Sequence, residues 1–339
     1  MAEKQKYLVA TGMRNEGPFI VEWVCWYWML GFDILVATND CTDHSTELLD
    51  TLADAGWLTH VPHKPRIGQP PQRSTLRKVI KHPLTAAADW TLHCDVDEFL
   101  VLHQHDTIAE LMGSPPHDFM AMVFNWKCFG QGGWDKYQDG IVHRQFRRCG
   151  MGHLPFNRSI KSILRNPLGF NRLGAHFPHG FQGDWSAPDN RVVSPSKATL
   201  PQFQVRENHP IRLLEQKQID HEVAQLNHYI LRSKESYDHK QGSPAAGNLK
   251  DRYTEDFRNC HNRNGMKDVT ASRFNDRFAK IHAEALALPD VLRLHHICCA
   301  DYVAELNKSA GTDPDNDERY QHHLKVAVRV ATNRGIHTK

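Results

Sequence analysis

The 339-residue sequence lacks the glycine-rich motifs of two large classes of nucleotide-binding protein. It has no Gly-x-Gly-x-x-Gly, which excludes the dinucleotide-binding fingerprint, and no Gly-x-x-x-x-Gly-Lys-Ser/Thr, which excludes the phosphate cradle of P-loop ATPases. It also lacks an excess of charge of one sign. The net charge is +2 at pH 7, so bulk attraction to nucleic acid or to anionic lipid is not expected.

Long hydrophobic runs are missing as well. The most apolar window, residues 19–37, is interrupted by Glu22, Gly31 and Asp33, so we expect no transmembrane segment. The Trp and Tyr residues of this window leave peripheral contact with a membrane surface open. The first residues run into an apolar strand without the apolar region and cleavage site of a signal peptide. We therefore expect a cytoplasmic protein whose eight cysteines are reduced thiols.

The cysteines and the 23 histidines do not follow the ligand spacing of a zinc module. The nearest approach to one is His295-His296 followed by Cys298-Cys299. Adjacent side chains point away from each other on a helix, so we interpret these residues as packing residues. The other histidines are scattered along the sequence, and we interpret most of them as solvated or packed.

Strand and helix patterns alternate through the first hundred residues. In the first helix, apolar residues recur at helical spacing: Ile20, Trp23, Val24, Tyr27 and Leu30. The predicted strands are residues 7–11, 33–38, 57–61 and 90–94, and the predicted helices are residues 18–30, 45–55 and 72–82. Such alternation with right-handed crossovers predicts an α/β fold with a doubly wound, mostly parallel sheet. Helical patterns return from residue 273 onward.

An acidic motif, Asp95-Val96-Asp97-Glu98-Phe99, directly follows the apolar strand predicted at residues 90–94. Ligands bind outside the carboxyl ends of strands in open α/β sheets. In the bend after a strand, two carboxylates can converge on one divalent cation, and their hard oxygens suit Mg²⁺ or Mn²⁺. The motif therefore predicts a site for a metal and a nucleotide diphosphate, and the alternative is a solvated acidic turn.

Together with this motif, several segments resemble family 2-type glycosyltransferases, in the branch that is also similar to family 92 and carries an Asp-x-Asp-Glu-Phe metal motif. The resemblance spans about residues 6–245. The segments that carry it are Arg14-Asn15-Glu16, Glu22-Trp23, Tyr27, Gly31-Phe32, Asn39-Asp40-Cys41-Thr42-Asp43, Trp90, Lys161, Gly174-Ala175-His176-Phe177-Pro178, and residues 228–236 with Lys240. It implies a GT-A fold, a nucleotide-diphosphate sugar donor, a glycan or other hydroxyl acceptor, and Mn²⁺ or Mg²⁺. Inversion at the anomeric carbon is expected from the resemblance alone.

The resemblance also implies roles for individual residues. Next to the nucleotide it implies Asn15, Glu16 and Asp40, of which Asp40 would hold the ribose or base. The metal ligands that it implies are Asp95, Asp97 and His228, and Asp95 would also contact the donor. This sequence has Cys41-Thr42 where relatives usually have Ser, and no match to the Glu-Asp pair that supplies the base in many of them.

Sugar transfer needs a base for the acceptor hydroxyl and positive charge for the leaving diphosphate. As the base we predict Asp184, which lies in a Gly-flanked loop beside Trp185. The alternatives for the base are Asp220 and Glu222, and His176 and His179 are candidates for acceptor-side or metal-binding residues. Near the diphosphate we predict three basic residues: Arg77, which shares a helix face with Arg73, and Lys234 and Lys240, which follow His228. Solvated surface side chains are the alternative for these three. We interpret Glu98 as a carboxylate that orients the acidic turn.

These patterns predict a GT-A domain over residues 1–245, with a nucleotide-binding half at 1–103 and an acceptor half at 104–245. A helical C-terminal extension is predicted at residues 246–339. Two other functions stay open. One is a metal-dependent phosphohydrolase or nucleotidyltransferase that uses the same acidic motif. The other is a non-catalytic protein that binds nucleotide sugars and has lost the base.

Overall fold

The computed structural model describes residues 5–205, 211–242, 247 and 251–333. Every strand and helix predicted over residues 7–94 is present, with small changes in its bounds. These elements and the strand after them are β1 (Tyr7–Met13), α1 (Gly17–Met29), β2 (Asp33–Thr38), α2 (Ser45–Asp54), β3 (Thr59–Pro62), α3 (Pro71–Ile80), α4 (Pro83–Ala87), β4 (Trp90–His93) and β5 (Glu98–Leu102).

Most elements in the middle of the chain are short, as its irregular pattern predicts. They are α5 (Ile108–Met112), β6 (Ala121–Cys128), α6 (Val142–Gln145), β7 (Arg148–Cys149), β8 (Ile160–Arg165), β9 (Phe170–Arg172), β10 (His179–Phe181), β11 (Val192–Val193), α7 (Gln202–Val205), β12 (Ala224–His228) and α8 (Lys234–Lys240). The C-terminal part is mainly helical: α9 (Glu255–His261), β13 (Met266–Lys267), α10 (Asn275–Ala287), α11 (Val291–Ala310) and α12 (Glu318–Asn333).

Within the described residues, a nine-stranded sheet has the order β3-β2-β1-β4-β8-β6-β12-β5, and β11 pairs with β6. The neighbours among β3, β2, β1 and β4 are parallel, and so are β6 and β12. The antiparallel neighbours are β8 with β4 and β6, and β5 with β12. Only the short acidic turn joins β4 to β5, although β5 pairs at the far end of the sheet. The sheet therefore curls back over this turn, which brings β12 next to it.

Helices cover both faces of the sheet. Because successive strand residues point to opposite faces, Val9 and Ile34 belong to one core with α1 and α2, whereas Leu8 and Leu35 belong to another core with α3. The predicted α/β fold, with a doubly wound and mostly parallel sheet, flanking helices and C-terminal helices, is confirmed.

Helix α1 is buried on nearly all sides, as its apolar content predicts. The sheet covers one side, and α10 and α11 pack against the other. Phe274 and Phe278 contact the ring of Trp26, with ring centroids 5.6 and 6.0 Å away. The C-terminal helices thus share a core with the sheet. The predicted boundary at residues 245 and 246 lies outside the described residues. In the described part of the chain, no helix is both long enough and apolar enough to cross a membrane.

Candidate active site

The acidic turn between β4 and β5 is fixed by aromatic side chains of α1. The Trp23 Nε1–H donates to the carbonyl of Asp95 at 3.1 Å, and the Tyr27 hydroxyl donates to the carbonyl of Glu98 at 3.1 Å. Trp23 and Tyr27 are four positions apart and so lie on the same face of the helix. The apolar stripe of α1 therefore packs against the sheet and also holds the backbone of the turn.

Lys161, on β8, lies between the first and last carboxylates of the turn. Its side chain is 1% exposed, and its Nζ is 2.9 Å from Asp95 Oδ2 and 3.1 Å from Glu98 Oε2. Glu98 is buried, and the same Oε2 accepts a hydrogen bond from the Asp95 N–H at 2.8 Å. Glu98 is therefore placed to orient the turn.

The charges of this cluster depend on Lys161. Burial raises the pKa of the Glu98 carboxyl. Burial acts in the same direction on Asp95, but the Lys161 ammonium beside it holds the pKa of Asp95 below its ordinary value. The Asp95 side chain is 37% exposed, and its Oδ1 accepts a hydrogen bond from Gln72 at 3.3 Å. Asp95 thus presents an ionised and oriented carboxylate to its surroundings.

Strand β12 brings His228 next to Asp97. His228 lies opposite Glu98 in the β5–β12 ladder, and its Nε2 is 3.6 Å from Asp97 Oδ1. Burial lowers the pKa of His228 to about 3, so its imidazole is neutral at pH 7. A neutral imidazole beside an aspartate is an arrangement that can bind a metal.

The Asp97–His228 pair fits a divalent cation. Ligand atoms bound at right angles to one Mg²⁺, at about 2.1 Å each, lie about 3 Å apart. The observed separation of 3.6 Å is close to this value. Asp95 is farther from the pair. Among the described residues, the ligand atoms of Asp95, Asp97 and His228 do not all lie within 4.8 Å of one another. The structure thus brings two of them together and connects the third, Asp95, to Lys161.

Asp95, Asp97 and His228 line a cavity of about 680 Å³, a size typical of small-molecule sites. Its acidic lining residues are Glu16, Asp95 and Asp97, its basic ones are Arg73, Arg172, Arg212, Lys240 and Arg252, and its aromatic ones include Trp126 and Tyr253. Carboxylates that suit a cation and arginines that suit phosphate therefore face one space.

Arg172, Arg212 and Arg252 were not predicted from the sequence. They lie in irregular or short segments that only the tertiary fold brings to the cavity. The Arg252 guanidinium carbon lies 5.4 Å from the ring centroid of Tyr253 and 5.7 Å from that of Phe257. Burial acts to lower the pKa of Arg252, but Tyr253 and nearby carboxylates raise it overall, so Arg252 is a permanent cation.

The loops after β1 and β2 hold each other. The Asn15 amide accepts from the Thr42 N–H and donates to the Thr42 hydroxyl, both at 2.9 Å. β2 and β4 flank β1, so Asp40 and Asp95 follow strands about 10 Å apart. Both loops therefore lie at the predicted edge of the sheet, although Asn15 and Asp40 are not among the described residues that line the cavity.

Glu16 lines the cavity and is paired with a buried arginine. Its Oε2 lies 2.8 Å from Arg232 Nη1. The Arg232 guanidinium also stacks on Phe19, with its central carbon 3.4 Å from the ring centroid. Glu16 is therefore held in position by a charge pair that solvent reaches poorly.

Three other predicted residues lie away from the cavity. Arg77 is exposed on α3, whereas Arg73, one turn earlier, lines the cavity. Lys234 pairs with an aspartate of its own helix, whereas Lys240 lines the cavity. Asp184 is on an exposed turn, where it accepts two hydrogen bonds from a neighbouring serine.

His176 lines the cavity, and its ring is in the tautomer whose Nε2 can accept a proton. Its Nδ1 is 2.8 Å from the carbonyl of Ile160. A carbonyl only accepts, so Nδ1 carries the proton and Nε2 keeps a free lone pair. Burial lowers the pKa of His176 to about 4, which keeps the ring neutral at pH 7. The ring centroid of Trp126 is 5.6 Å away.

Acid is expected to destabilise the protein between pH 6.5 and pH 4. Burial lowers the pKa of both His176 and His221 to about 4, against about 6.5 in an unfolded chain. In this window the unfolded state binds more protons, so the free energy of unfolding falls as the pH falls, by on the order of 2 kcal/mol per histidine. Between pH 7 and pH 4.5, the free energy of unfolding measured with urea should fall less in His221→Gln than in the wild type. Exposed His153 provides the control. Equal losses in His221→Gln and His153→Gln would contradict this expectation.

No family model and no curated protein matches this sequence. Solved structures similar to this chain include S. aureus TarS 1–349, at 12% identity and a TM-score of 0.34, over 99% of this chain and 93% of that one. They also include an active-site mutant of LgtC, at 11% identity and a TM-score of 0.26, over 46% and 56%. A third is a putative glucose-1-phosphate thymidylyltransferase from Bacillus anthracis in complex with a sucrose, at 10% identity and a TM-score of 0.27, over 48% and 72%. Scores this low carry no argument about the family or the reaction.

Proposed function

We propose that this protein is a glycosyltransferase that moves a sugar from a nucleotide-diphosphate sugar to a hydroxyl acceptor. The observation that carries the proposal is one cavity, at the carboxyl ends of parallel strands, where Asp97 and His228 face a group of basic residues. The arrangement agrees with the GT-A core and the site that the sequence resemblance implies.

Asp97 and His228 would hold Mn²⁺ or Mg²⁺ in this proposal. The cation, when bound, neutralises the charge that develops on the leaving diphosphate. Asp95 has a separate role, because Lys161 and Gln72 fix its carboxylate at the cavity wall. From there it can accept hydrogen bonds from the donor or from water.

The basic residues of the cavity would bind the diphosphate. Arg252 offers a planar guanidinium whose orientation is fixed by the neighbouring rings of Tyr253 and Phe257, and such groups bind phosphate with two hydrogen bonds. Lys240 and Arg73 add point charges on other walls of the cavity. The donor therefore meets positive charge from several elements, and the two predicted residues outside the cavity, Arg77 and Lys234, are not required.

For the base we propose His176 ahead of the predicted Asp184, because His176 lines the cavity and has a free Nε2 lone pair. The Nε2 would accept the proton of the acceptor hydroxyl as its oxygen bonds to the anomeric carbon and the bond from that carbon to the leaving diphosphate breaks. A bound diphosphate adds negative charge near the ring, which raises the pKa of His176 toward the working range. The ring of Trp126 would provide a stacking surface for the sugar.

A screen of nucleotide sugars tests the proposed function. Each donor is added with Mn²⁺, the thermal midpoint is measured, and stabilising donors are assayed for release of nucleoside diphosphate. We expect at least one donor to stabilise the protein and to be consumed only when a sugar acceptor is added. Release with water alone would favour the phosphohydrolase, and binding without any turnover would favour the non-catalytic protein.

Asp40→Asn is expected to weaken donor binding about tenfold to a hundredfold. Asp40 has a φ of 47°, a left-handed conformation that Asn tolerates, so the fold should be retained. Loss of a charged hydrogen bond to the ribose or base costs ~1.5–3 kcal/mol. Calorimetry with the donor from the screen measures the effect. Asp33→Asn, at the exposed start of β2, the strand that precedes Asp40, is the matched control. Equal affinities for the two variants would remove Asp40 from the site.

A further inference from the structure

Helix α11 and the segment after Tyr137 bring together a second set of metal-ligating side chains, none of which lines the candidate active site. The His295 Nε2 lies 3.2 Å from Asp139 Oδ1 and 3.6 Å from Cys299 Sγ. The ligand atoms of Asp139, His295 and Cys299 all lie within 4.8 Å of one another.

Two of these three side chains lie inside the protein and on one helix face. Cys299 and His295 are buried, and Asp139 has a side chain that is 28% exposed. His295 and Cys299 are four positions apart and so share a helix face, unlike the adjacent pairs that the sequence suggested first.

The distances agree with a tetrahedral zinc ion. With Zn–N and Zn–O bonds of about 2.0 Å and Zn–S bonds of about 2.3 Å, tetrahedral angles place N and O about 3.3 Å apart and N and S about 3.5 Å apart. The observed separations from His295 Nε2 are 3.2 Å to the Asp139 oxygen and 3.6 Å to the Cys299 sulfur. One carboxylate and one thiolate also balance the two charges of the cation.

The neighbouring histidines have a different geometry. His296 and His323 also have ligand atoms within 4.8 Å of Asp139. Their own Nδ1 atoms, however, are 2.9 Å apart, which is shorter than the separation of about 3.3 Å that a tetrahedral zinc ion places between two nitrogen ligands. His296 and His323 are therefore neighbours of the site and not ligands. The fourth ligand of the cation would be a water molecule on the exposed side of Asp139.

We propose that Asp139, His295 and Cys299 bind one Zn²⁺ that fastens the segment after Tyr137 to helix α11. The Tyr137 hydroxyl lies 3.5 Å from Cys299 Sγ, and the Tyr137 ring contacts Phe19. Phe19 in turn supports the Arg232 guanidinium that holds Glu16 at the active-site cavity. The ion would therefore stabilise a wall of the candidate active site without taking part in the reaction.

Metal reconstitution of the full chain tests this proposal. The protein is stripped with a chelator and titrated with Co²⁺, which replaces Zn²⁺ and gives a thiolate-to-metal absorption band only when a cysteine is a ligand. The Asp97–His228 pair has no thiolate, so the band reports on the second site alone. We expect the band to saturate at one equivalent of Co²⁺, to disappear when Zn²⁺ is added, and to accompany a rise in the thermal midpoint.

Variants separate a metal ligand from a packing residue. Cys299→Ser should abolish the band, whereas Cys298→Ser, a buried neighbour that faces Gly17 on α1, should retain it. Asp139→Asn, at a partly exposed position, should fold and bind Co²⁺ at least tenfold more weakly, which covers the case in which Cys299→Ser does not fold. The absence of a thiolate band in the wild type would overturn the proposal, as would equal bands in Cys298→Ser and Cys299→Ser.

Discussion

Asp97→Asn is expected to reduce nucleotide-sugar turnover by a thousandfold or more while the protein stays folded. The amide keeps the size of the side chain but loses its charge, so the cation held by Asp97 and His228 binds less tightly. Without the cation, the charge on the leaving diphosphate is not neutralised, and the barrier rises by several kcal/mol. Each 1.36 kcal/mol is about tenfold in rate. Steady-state kinetics with the donor from the screen measures the loss.

Two controls accompany this prediction: one removes a carboxylate elsewhere on the surface, and the other removes the metal ion from the wild type. Asp54→Asn makes the same substitution at an exposed position at the end of α2 and should leave turnover unchanged. EDTA should inactivate the wild type, and Mn²⁺ or Mg²⁺ should restore it. If turnover survives both EDTA and Asp97→Asn, the metal mechanism is wrong and the acidic motif does not hold a catalytic cation.

Lys161→Met is expected to destabilise the protein by ~3–5 kcal/mol, the cost of removing one partner of a buried ion pair. The Lys161 ammonium lies within 3.1 Å of both Asp95 and Glu98, and Glu98 is fully buried. Met has a similar length but no charge, so the carboxylates lose their counter-ion with little change in packing. Urea unfolding at pH 7 measures the difference in the free energy of unfolding.

Two further variants show whether the loss comes from unpaired charge. Lys136→Met removes a lysine whose ion pair with Glu235 is at the surface, where the expected cost is below ~1 kcal/mol. Adding Glu98→Gln to Lys161→Met should recover part of the stability, because a neutral amide then replaces the fully buried acid that has lost its counter-ion. A Lys161→Met effect as small as that of Lys136→Met would show that the cluster does not stabilise the fold.

The first hundred residues could be predicted from the sequence because their signals are local. Residues 34–37 form an unbroken apolar run, and the segment at residues 33–38 forms β2 with the predicted bounds. Helix α1 follows the stripe that contains Trp23 and Tyr27. The insertion of β8 between β4 and β6 could not be predicted, because strand pairing depends on contacts between distant residues. For the same reason the sequence named Lys161 without showing that it pairs with the acidic turn.

The residues of the candidate site also differ in whether their position could be predicted from the sequence. Asp95 and Asp97 follow a strong strand signal, so their position at the sheet edge could be predicted. Arg252 and Arg212 lie in segments without a periodic pattern, and only tertiary packing brings them to the cavity. Only the composition of its loop favours Asp184, and that composition contains no information on the distance from the acidic turn.

The most direct test of the central claim is calorimetric titration of nucleoside diphosphates into the wild type and Asp97→Asn, with Mn²⁺ and with EDTA. We predict that at least one nucleoside diphosphate binds the wild type with Mn²⁺. Its affinity should fall at least tenfold in EDTA and, with Mn²⁺ present, in Asp97→Asn. No binding by any nucleoside diphosphate, or binding that neither EDTA nor Asp97→Asn weakens, would contradict a metal-dependent nucleotide site at Asp97 and His228.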